Sequence, residues 1–128
     1  GLILILGIGT DVADVKRINK ALENPRFIDR VYTAAEQSYC EGRGSQRGQS
    51  YAARFSGKEA ILKAFGTGLR GGSLLDIEIL PDTLGCPQVR LTGCFEQLAA
   101  ARGVGKVWIS LSHTREYATA QCVMEGTE

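Results

Sequence analysis

The chain has few of the residues from which metal and disulfide sites are usually built. It contains one histidine and four cysteines in 128 residues, and no two cysteines stand in a C-x-x-C spacing. A structural zinc site needs four nitrogen or sulfur ligands, so this composition argues against one. We expect the cysteines to be buried free thiols in a reducing compartment, the cytoplasm. They are Cys40, Cys86, Cys94 and Cys122.

Long apolar runs and an excess of charge are also missing. The apolar run Leu2–Ile8 is interrupted by Gly7, is too short to span a bilayer and has no basic leader, so we predict no membrane segment. The formal net charge is +1, which argues against non-specific binding to nucleic acid. The length fits one domain covering residues 1–128.

Positive charge is concentrated in one glycine-rich segment, between Gly42 and Leu75. The segment holds six basic residues and a single acidic residue, Glu59. A concentration of this kind favours a polyanionic ligand, such as a phosphorylated small molecule. The basic residues are Arg43, Arg47, Arg54, Lys58, Lys63 and Arg70.

The hydrophobic pattern predicts an α+β protein with a mainly antiparallel sheet packed on a long central helix. That helix is Tyr51–Phe65, which is apolar or small over most of its circumference and ends at Gly66 as a C-cap. We expect Leu2–Ile8 to be a strand covered on both faces, followed by a turn at Gly9–Asp11. The other predicted helices are Val12–Leu22, one capped by Thr33, and Cys94–Arg102; the loop is Glu41–Ser50, and the other strands are Leu74–Leu80, Gln88–Thr92, Val107–Ser112 and Tyr117–Met124.

Two acidic residues have both a structural and a functional interpretation. Asp11 would stand at the start of a predicted helix, and its position alone favours an N-cap, although Asp14 or Thr10 can take that role. Glu59 projects into an apolar stripe of the long helix, where an unpaired carboxylate is costly. It can pair with Lys63 four residues later, or it can join Asp11 in holding Mg²⁺ against the phosphates of a substrate. The spacing leaves both interpretations open.

His113, the single histidine, lies in a predicted hairpin directly after Ser112. A lone histidine at such a position is commonly a surface residue. No Ser-His-Asp order in the chain supports a hydrolase triad.

Three motifs resemble those of the holo-acyl-carrier-protein synthases, the small bacterial-type 4′-phosphopantetheinyl transferases. They run from Gly7 to Val12, from Arg54 to Gly68 and from Ile109 to Ala118, in the family's order. The second, F-x-x-K-E-A-x-x-K-A-x-G, is highly specific. Gly57 departs from it, since the family usually has alanine there, and close approach of a ligand to the backbone is one explanation.

The resemblance implies transfer of 4′-phosphopantetheine from coenzyme A to a serine of apo-acyl carrier protein, with release of adenosine 3′,5′-bisphosphate. It also implies the family's fold, a homotrimer with active sites shared between subunits, and Mg²⁺ held by Asp11 and Glu59. Lys63 would contact the pyrophosphate. The other expected coenzyme contacts are Arg43, Arg47, Arg54, Lys58, Ser112, His113 and Thr114, and the expected carrier-protein contacts are Lys16, Arg17 and Arg26.

The base that removes the serine proton is Glu59 or a water beside the metal in this interpretation, with His113 as a weaker candidate. A coenzyme A or nucleotide-binding module without catalysis is one alternative, but it would not need two acids placed for a metal. A metal-dependent phosphohydrolase is another, and it would release phosphopantetheine to water without a carrier. Asp11, Glu59 and Lys63 together favour the transferase.

Overall fold

The computed structural model describes residues 1–127, which form five β-strands and five α-helices. The α+β class, the antiparallel sheets and the long helix expected from the sequence are confirmed. Within the same range no helix has both the length and the apolar character needed to cross a membrane. The elements are β1 Ile3–Asp14, α1 Val15–Ala21, α2 Pro25–Val31, α3 Ala34–Glu41, α4 Arg47–Phe65, β2 Ile77–Pro81, β3 Pro87–Leu91, α5 Gly93–Ala101, β4 Val104–His113 and β5 Tyr117–Thr127, with short 3₁₀ turns at Gly44–Gln46 and Leu74–Asp76.

The strands form two antiparallel sheets. One has the order β1-β5-β4, with β5 in the middle, and the other is the hairpin of β2 and β3. β1 is therefore an edge strand, paired with β5 on one side only. Across the larger sheet, Asp11 of β1 lies opposite Ala120 of β5, which lies opposite Leu111 of β4.

The helix α4 is the central element, as its apolar composition predicted. Its side chains are buried around most of the circumference, and they join the sheets and α5 in one core cluster and α1, α2 and α3 in a second. It begins at Arg47 rather than Tyr51, so the predicted loop Glu41–Ser50 is largely a 3₁₀ turn and the first turn of α4. It ends at Gly66, whose φ of 75° confirms the predicted C-cap.

The predicted turn at Gly9–Asp11 is wrong, because β1 continues through these residues to Asp14. Gly7 and Gly9 face α4 so closely that a Cβ at either position would overlap a carbonyl oxygen of that helix. These glycines allow close packing of strand on helix rather than a change of chain direction.

The first helix is correspondingly shorter than predicted. It begins at Val15 instead of Val12, and Asp14 is its N-cap, accepting hydrogen bonds from the amides of Lys16 and Arg17. The expected end before Pro25 and the capping box at Thr33 are both confirmed, because Asn24 caps α2 and Thr33 caps α3.

The outer face of β1 is apolar and exposed. Ile8 is 70% exposed and Val12 is 62% exposed. Ile8 lies opposite Val123 of β5, which lies opposite the exposed Trp108 of β4. The expectation that this strand is covered on both faces is therefore wrong for the single chain. We name Ile8, Val12 and Trp108 the outer patch; an exposed apolar area of this kind commonly marks a contact surface.

All four cysteines are free thiols, but only two are buried as expected. Cys40 and Cys122 lie in the core, Cys94 is half-buried, and Cys86 is exposed in the turn between β2 and β3.

Candidate active site

Asp11 and Glu59 line the same cleft, which has a volume of about 410 Å³. Asp11 reaches it from β1 and Glu59 from α4. Its remaining walls come from β1, α1, α2 and α4 and are mostly apolar: Val12, Ala13, Asp14, Arg17, Ile18, Ala21, Phe27 and Phe55. The fold thus brings together the two acids that the sequence had proposed as a pair.

Both carboxylate oxygens of Asp11 have a partner. Ser56, fully buried on α4, donates its hydroxyl to Oδ2 at 3.1 Å. The Lys63 ammonium donates to Oδ1 at 3.0 Å and to the main-chain oxygen of Thr10 at 3.1 Å. Asp11 is therefore not the N-cap that its position alone favoured, since Asp14 has that role.

Glu59 is half-buried and carries no ion pair with Lys63, whose ammonium instead pairs with Asp11. The pKa of Glu59 is raised above its ordinary value, first by burial and then by the negative charge of Asp11, while the positive charge of Lys63 opposes the shift. Two carboxylates that line one partly buried cleft form a favourable setting for a cation.

The donor set of the cleft fits Mg²⁺. Within residues 1–127 no group of three or more histidine, cysteine, aspartate or glutamate side chains is arranged around a common point for a metal. The cleft offers two carboxylates, those of Asp11 and Glu59. Two carboxylates match Mg²⁺, which takes its other ligands from water and substrate phosphates. They do not match a structural zinc site.

The structure corrects the prediction that Lys58 contacts coenzyme A. Its side chain is fully buried, and its ammonium donates to Glu36 Oε1 at 2.7 Å and to the main-chain oxygens of Val31 and Leu74 at 2.5 and 2.9 Å. Three acceptors use all three protons of the ammonium. Burial lowers the pKa of Lys58, with the charge of Glu36 acting in the opposite direction. Lys58 therefore joins elements inside the fold and does not extend to the surface.

Arg54 is also largely inside the fold. It donates to the main-chain oxygens of Ile79 at 3.2 Å and Ser50 at 3.4 Å, and its guanidinium lies 4.5 Å from the ring centroid of Tyr39. Among the basic residues predicted to contact coenzyme A, Arg54 and Lys58 are buried on α4, whereas Lys63 is exposed. A coenzyme contact of Arg54 stays a prediction.

Arg43 and Arg47 lie near the start of α4, away from the cleft. Arg43 lies over the ring of Tyr39, and Arg47 pairs with Glu41 at 2.7 Å. At the rise of an α-helix, Arg47 is about 18 Å along α4 from Glu59. Their contact with coenzyme A stays a prediction, and it requires a long ligand or a second subunit.

Ser112, His113 and Thr114 lie at the end of β4 and in the following turn. By strand pairing, Ser112 shares the outer face with Val12, whereas His113 shares the opposite face with Ala13. The Thr114 hydroxyl accepts the amides of Glu116 and Tyr117 and so shapes the turn. These three residues are not walls of the cleft in their own chain, and their coenzyme contacts stay predictions.

The predicted carrier-binding residues lie beside the cleft. Lys16 and Arg17 are exposed on α1, and Arg26 is exposed at the start of α2. Arg17 is at the same time a wall of the cleft that contains Asp11 and Glu59. A protein held on this surface would therefore be next to the two acids.

Sequence reasoning missed Ser56, Phe27 and Phe55. Ser56 stands three residues before Glu59, so the two share one side of the helix, and a polar residue on an otherwise apolar helix was the available signal. Phe27 and Phe55, whose ring centroids are 6.2 Å apart, form an apolar wall of the cleft. Phe55 is the first residue of the F-x-x-K-E-A motif, but its place in the motif did not indicate this role.

The chain is similar to known proteins over nearly its whole length. Residues 7–122 match the model of the 4′-phosphopantetheinyl transferase superfamily. A holo-[acyl-carrier-protein] synthase of Ruminiclostridium cellulolyticum is 46% identical over 120 residues, covering 91% of this chain and 90% of that protein. The Plasmodium yoelii acyl carrier protein synthase with ADP bound superposes with a TM-score of 0.87 at 36% identity, covering 100% of both chains. A Bacillus anthracis holo-(acyl-carrier-protein) synthase in complex with CoA (3′,5′-ADP) gives a TM-score of 0.81 at 36% identity, covering 96% of this chain and 98% of that one.

Proposed function

The chain belongs to the holo-[acyl-carrier-protein] synthases of the 4′-phosphopantetheinyl transferase superfamily, and on that basis we propose how its residues carry out the reaction. The enzyme transfers 4′-phosphopantetheine from coenzyme A to a serine of apo-acyl carrier protein and releases adenosine 3′,5′-bisphosphate. We propose that residues 1–128 act as one transferase domain, and its free thiols support a reducing compartment, the cytoplasm.

One observation supports this mechanism above the others: Asp11 and Glu59 line a single cleft that Arg17 also borders. The two acids are the residues proposed to hold Mg²⁺, and Arg17 belongs to the basic surface of Lys16, Arg17 and Arg26 proposed to bind the acidic carrier. Docking on that surface would bring the acceptor serine to the place where the phosphates are held.

The bound ion would supply positive charge to the pyrophosphate of coenzyme A. In the transfer, the serine oxygen forms a bond to the β-phosphorus, and the bond from that phosphorus to the bridging oxygen breaks. The bridging oxygen leaves with adenosine 3′,5′-bisphosphate. Lys63, the exposed cation nearest to Asp11, donates to the phosphate oxygens and offsets their developing charge.

Glu59 is the proposed acceptor of the serine proton. It is half-buried in the cleft beside Asp11, where the phosphates and the acceptor serine would meet. A water in the cleft is the alternative acceptor. His113 is not a wall of the cleft of its own chain, which argues against the role of base within one chain.

We further propose a homotrimer with its active sites at the subunit interfaces. The outer patch of Ile8, Val12 and Trp108 is apolar and exposed in the single chain, so assembly would cover it. The predicted coenzyme contacts at Arg43 and His113 do not border the cleft of their own chain. A neighbouring subunit would supply such residues to a shared site.

The reaction is tested by mass spectrometry of an apo-acyl carrier protein after incubation with the enzyme, coenzyme A and Mg²⁺. A mass gain of one phosphopantetheine arm on the carrier serine is expected, and chelation of the metal should prevent it. An unmodified carrier together with coenzyme binding that is indifferent to Mg²⁺ would instead identify a binding module. Release of free phosphopantetheine without modified carrier would identify a phosphohydrolase.

A further inference from the structure

We propose that Lys63 is a resident counter-ion: it occupies Asp11 in the free enzyme and has to leave this residue when the divalent cation binds. The role goes beyond the proposed contact of Lys63 with phosphate, and it rests on the proposed metal site at Asp11 and Glu59. Its consequence is competition between one side chain of the enzyme and the metal for the same carboxylate.

The two hydrogen bonds to Asp11 differ in how easily they can be exchanged. The hydroxyl of Ser56 comes from a fully buried residue within α4, so its position is set by the packing of the helix. The side chain of Lys63 is 54% exposed, whereas that of Asp11 is only 15% exposed. Lys63 can therefore swing into solvent, while Ser56 keeps its place at Oδ2.

The charges of the cleft explain why a counter-ion is needed in the free enzyme. Asp11 and Glu59 are mutually repulsive acids in partly buried positions. The ammonium of Lys63, 3.0 Å from Oδ1 of Asp11, neutralises one of them. Burying an ionised carboxylate without a partner costs free energy, so the ion pair with Lys63 stabilises the empty cleft.

The same ion pair is incompatible with a metal on Asp11. A divalent cation at that carboxylate would stand only a few Å from the ammonium, and two positive charges at such a distance repel one another strongly. Lys63 would therefore release Asp11 as the metal arrives. The released ammonium is then free to reach a phosphate group of the coenzyme, so metal binding and phosphate binding by Lys63 are coupled.

Ser56 has the opposite effect on the metal. By donating to Oδ2 it fixes the orientation of the Asp11 carboxylate without adding charge. Groups that orient a metal ligand in this way commonly raise metal affinity by 10- to 100-fold. Ser56 is thus a positioning residue that favours the metal, and Lys63 is a competitor that weakens its binding to the free enzyme.

The test is the binding of Mn²⁺ to the free enzyme without coenzyme A, measured by electron paramagnetic resonance, which counts unbound Mn²⁺ directly. We expect Lys63→Met to bind Mn²⁺ about tenfold more tightly than the wild type, because a repelling charge is gone. Lys63→Arg keeps the charge and should stay close to the wild type. Ser56→Ala should bind about tenfold more weakly.

Lys20→Met is the matched control, since Lys20 is an exposed lysine on the neighbouring helix α1. It removes the same charge without touching Asp11, so it should have little effect. Affinity of Lys63→Met equal to or below that of the wild type would overturn the proposal, as would an equal gain in Lys20→Met. Absence of Mn²⁺ binding by both the wild type and Lys63→Met would also refute the counter-ion role. Phosphopantetheine transfer to the carrier in the presence of Mg²⁺ then decides separately whether the proposed function stands.

Discussion

The ammonium of Lys58 and the carboxylate of Glu36 lie 2.7 Å apart, and neither side chain has any exposed surface. Glu36 also accepts the main-chain amides of Thr33 and Ile79 at 2.9 and 2.8 Å. This single pair therefore ties α4 to α3, to the middle of β2 and, through the carbonyl of Val31, to the end of α2. The two lysines of the second motif have different tasks: Lys58 holds the core, and Lys63 pairs with Asp11, one of the walls of the cleft.

Replacement of Lys58 by methionine should lower the free energy of unfolding by about 3–5 kcal/mol, because Glu36 would be left buried without its cation. Urea denaturation measures the change. Lys63→Met is the control and should alter stability by less than about 1 kcal/mol, since its ion pair is partly exposed. Full stability of Lys58→Met combined with a raised KM for coenzyme A would restore the role predicted from the sequence.

Replacement of Glu59 by glutamine should reduce phosphopantetheine transfer by about 100-fold or more while the fold is retained, because Glu59 is both a proposed metal ligand and the proposed base. Transfer to the carrier is followed by mass spectrometry and the fold by circular dichroism. Glu96→Gln, an exposed residue of α5, should leave the rate unchanged. Near-normal turnover of Glu59→Gln would refute the assignment.

Gly57 packs against Ile79, and this contact replaces the suggestion that a ligand approaches the backbone there. A Cβ at Gly57 would lie 2.5 Å from Cδ1 of Ile79 and 3.1 Å from Cδ2 of Leu111. Alanine in a helix interior is favoured over glycine by about 1 kcal/mol, but at this position the clash opposes the gain. Ile79→Val removes the clashing methyl group. The double variant Gly57→Ala with Ile79→Val should have a free energy of unfolding about 1 kcal/mol higher than the sum of the two single effects predicts. Thermal or urea denaturation of the four proteins measures this coupling, and strictly additive effects would contradict it.

An aspartate in place of Ile8 should dissociate the proposed trimer, because a charge would enter the apolar outer patch. Sedimentation velocity measures the assembly, and the fluorescence of Trp108, the single tryptophan, should shift to longer wavelength as the patch meets water. Leu84 is 93% exposed in the turn between β2 and β3, so Leu84→Asp adds the same charge elsewhere and should leave the assembly intact. A wild-type protein that sediments as a monomer would sink the proposal.

The four thiols should react with Ellman's reagent in two groups at pH 8. Burial raises the pKa of Cys40 to about 12 and that of Cys122 to about 11, so neither supplies thiolate at that pH. Cys86 is exposed and should react rapidly, with Cys94 slower. Cys40 and Cys122 should react only after denaturation. Rapid reaction of four thiols in the native protein would contradict the described core.

Several elements could be predicted because their signals are local. The buried circumference of α4, its end at Gly66 and the capping box at Thr33 follow from patterns within one element. The extent of β1 could not be predicted. A glycine such as Gly9 is expected both in a turn and in a strand that packs closely on a helix. The sequence does not distinguish these two cases, and only the position of α4 shows that Gly9 belongs to a strand.

The sequence by itself determined the α+β class, the identity of Asp11 and Glu59 as a pair of interest, and the family to which the motifs belong, because these depend on residue type and spacing along one chain. Only the tertiary structure decided that Lys63 pairs with Asp11 rather than with Glu59, and that Lys58 is enclosed with Glu36. The partner of a charged side chain depends on which groups from distant parts of the chain share its surroundings and on how much water remains there. Neither quantity is encoded in the spacing of residues.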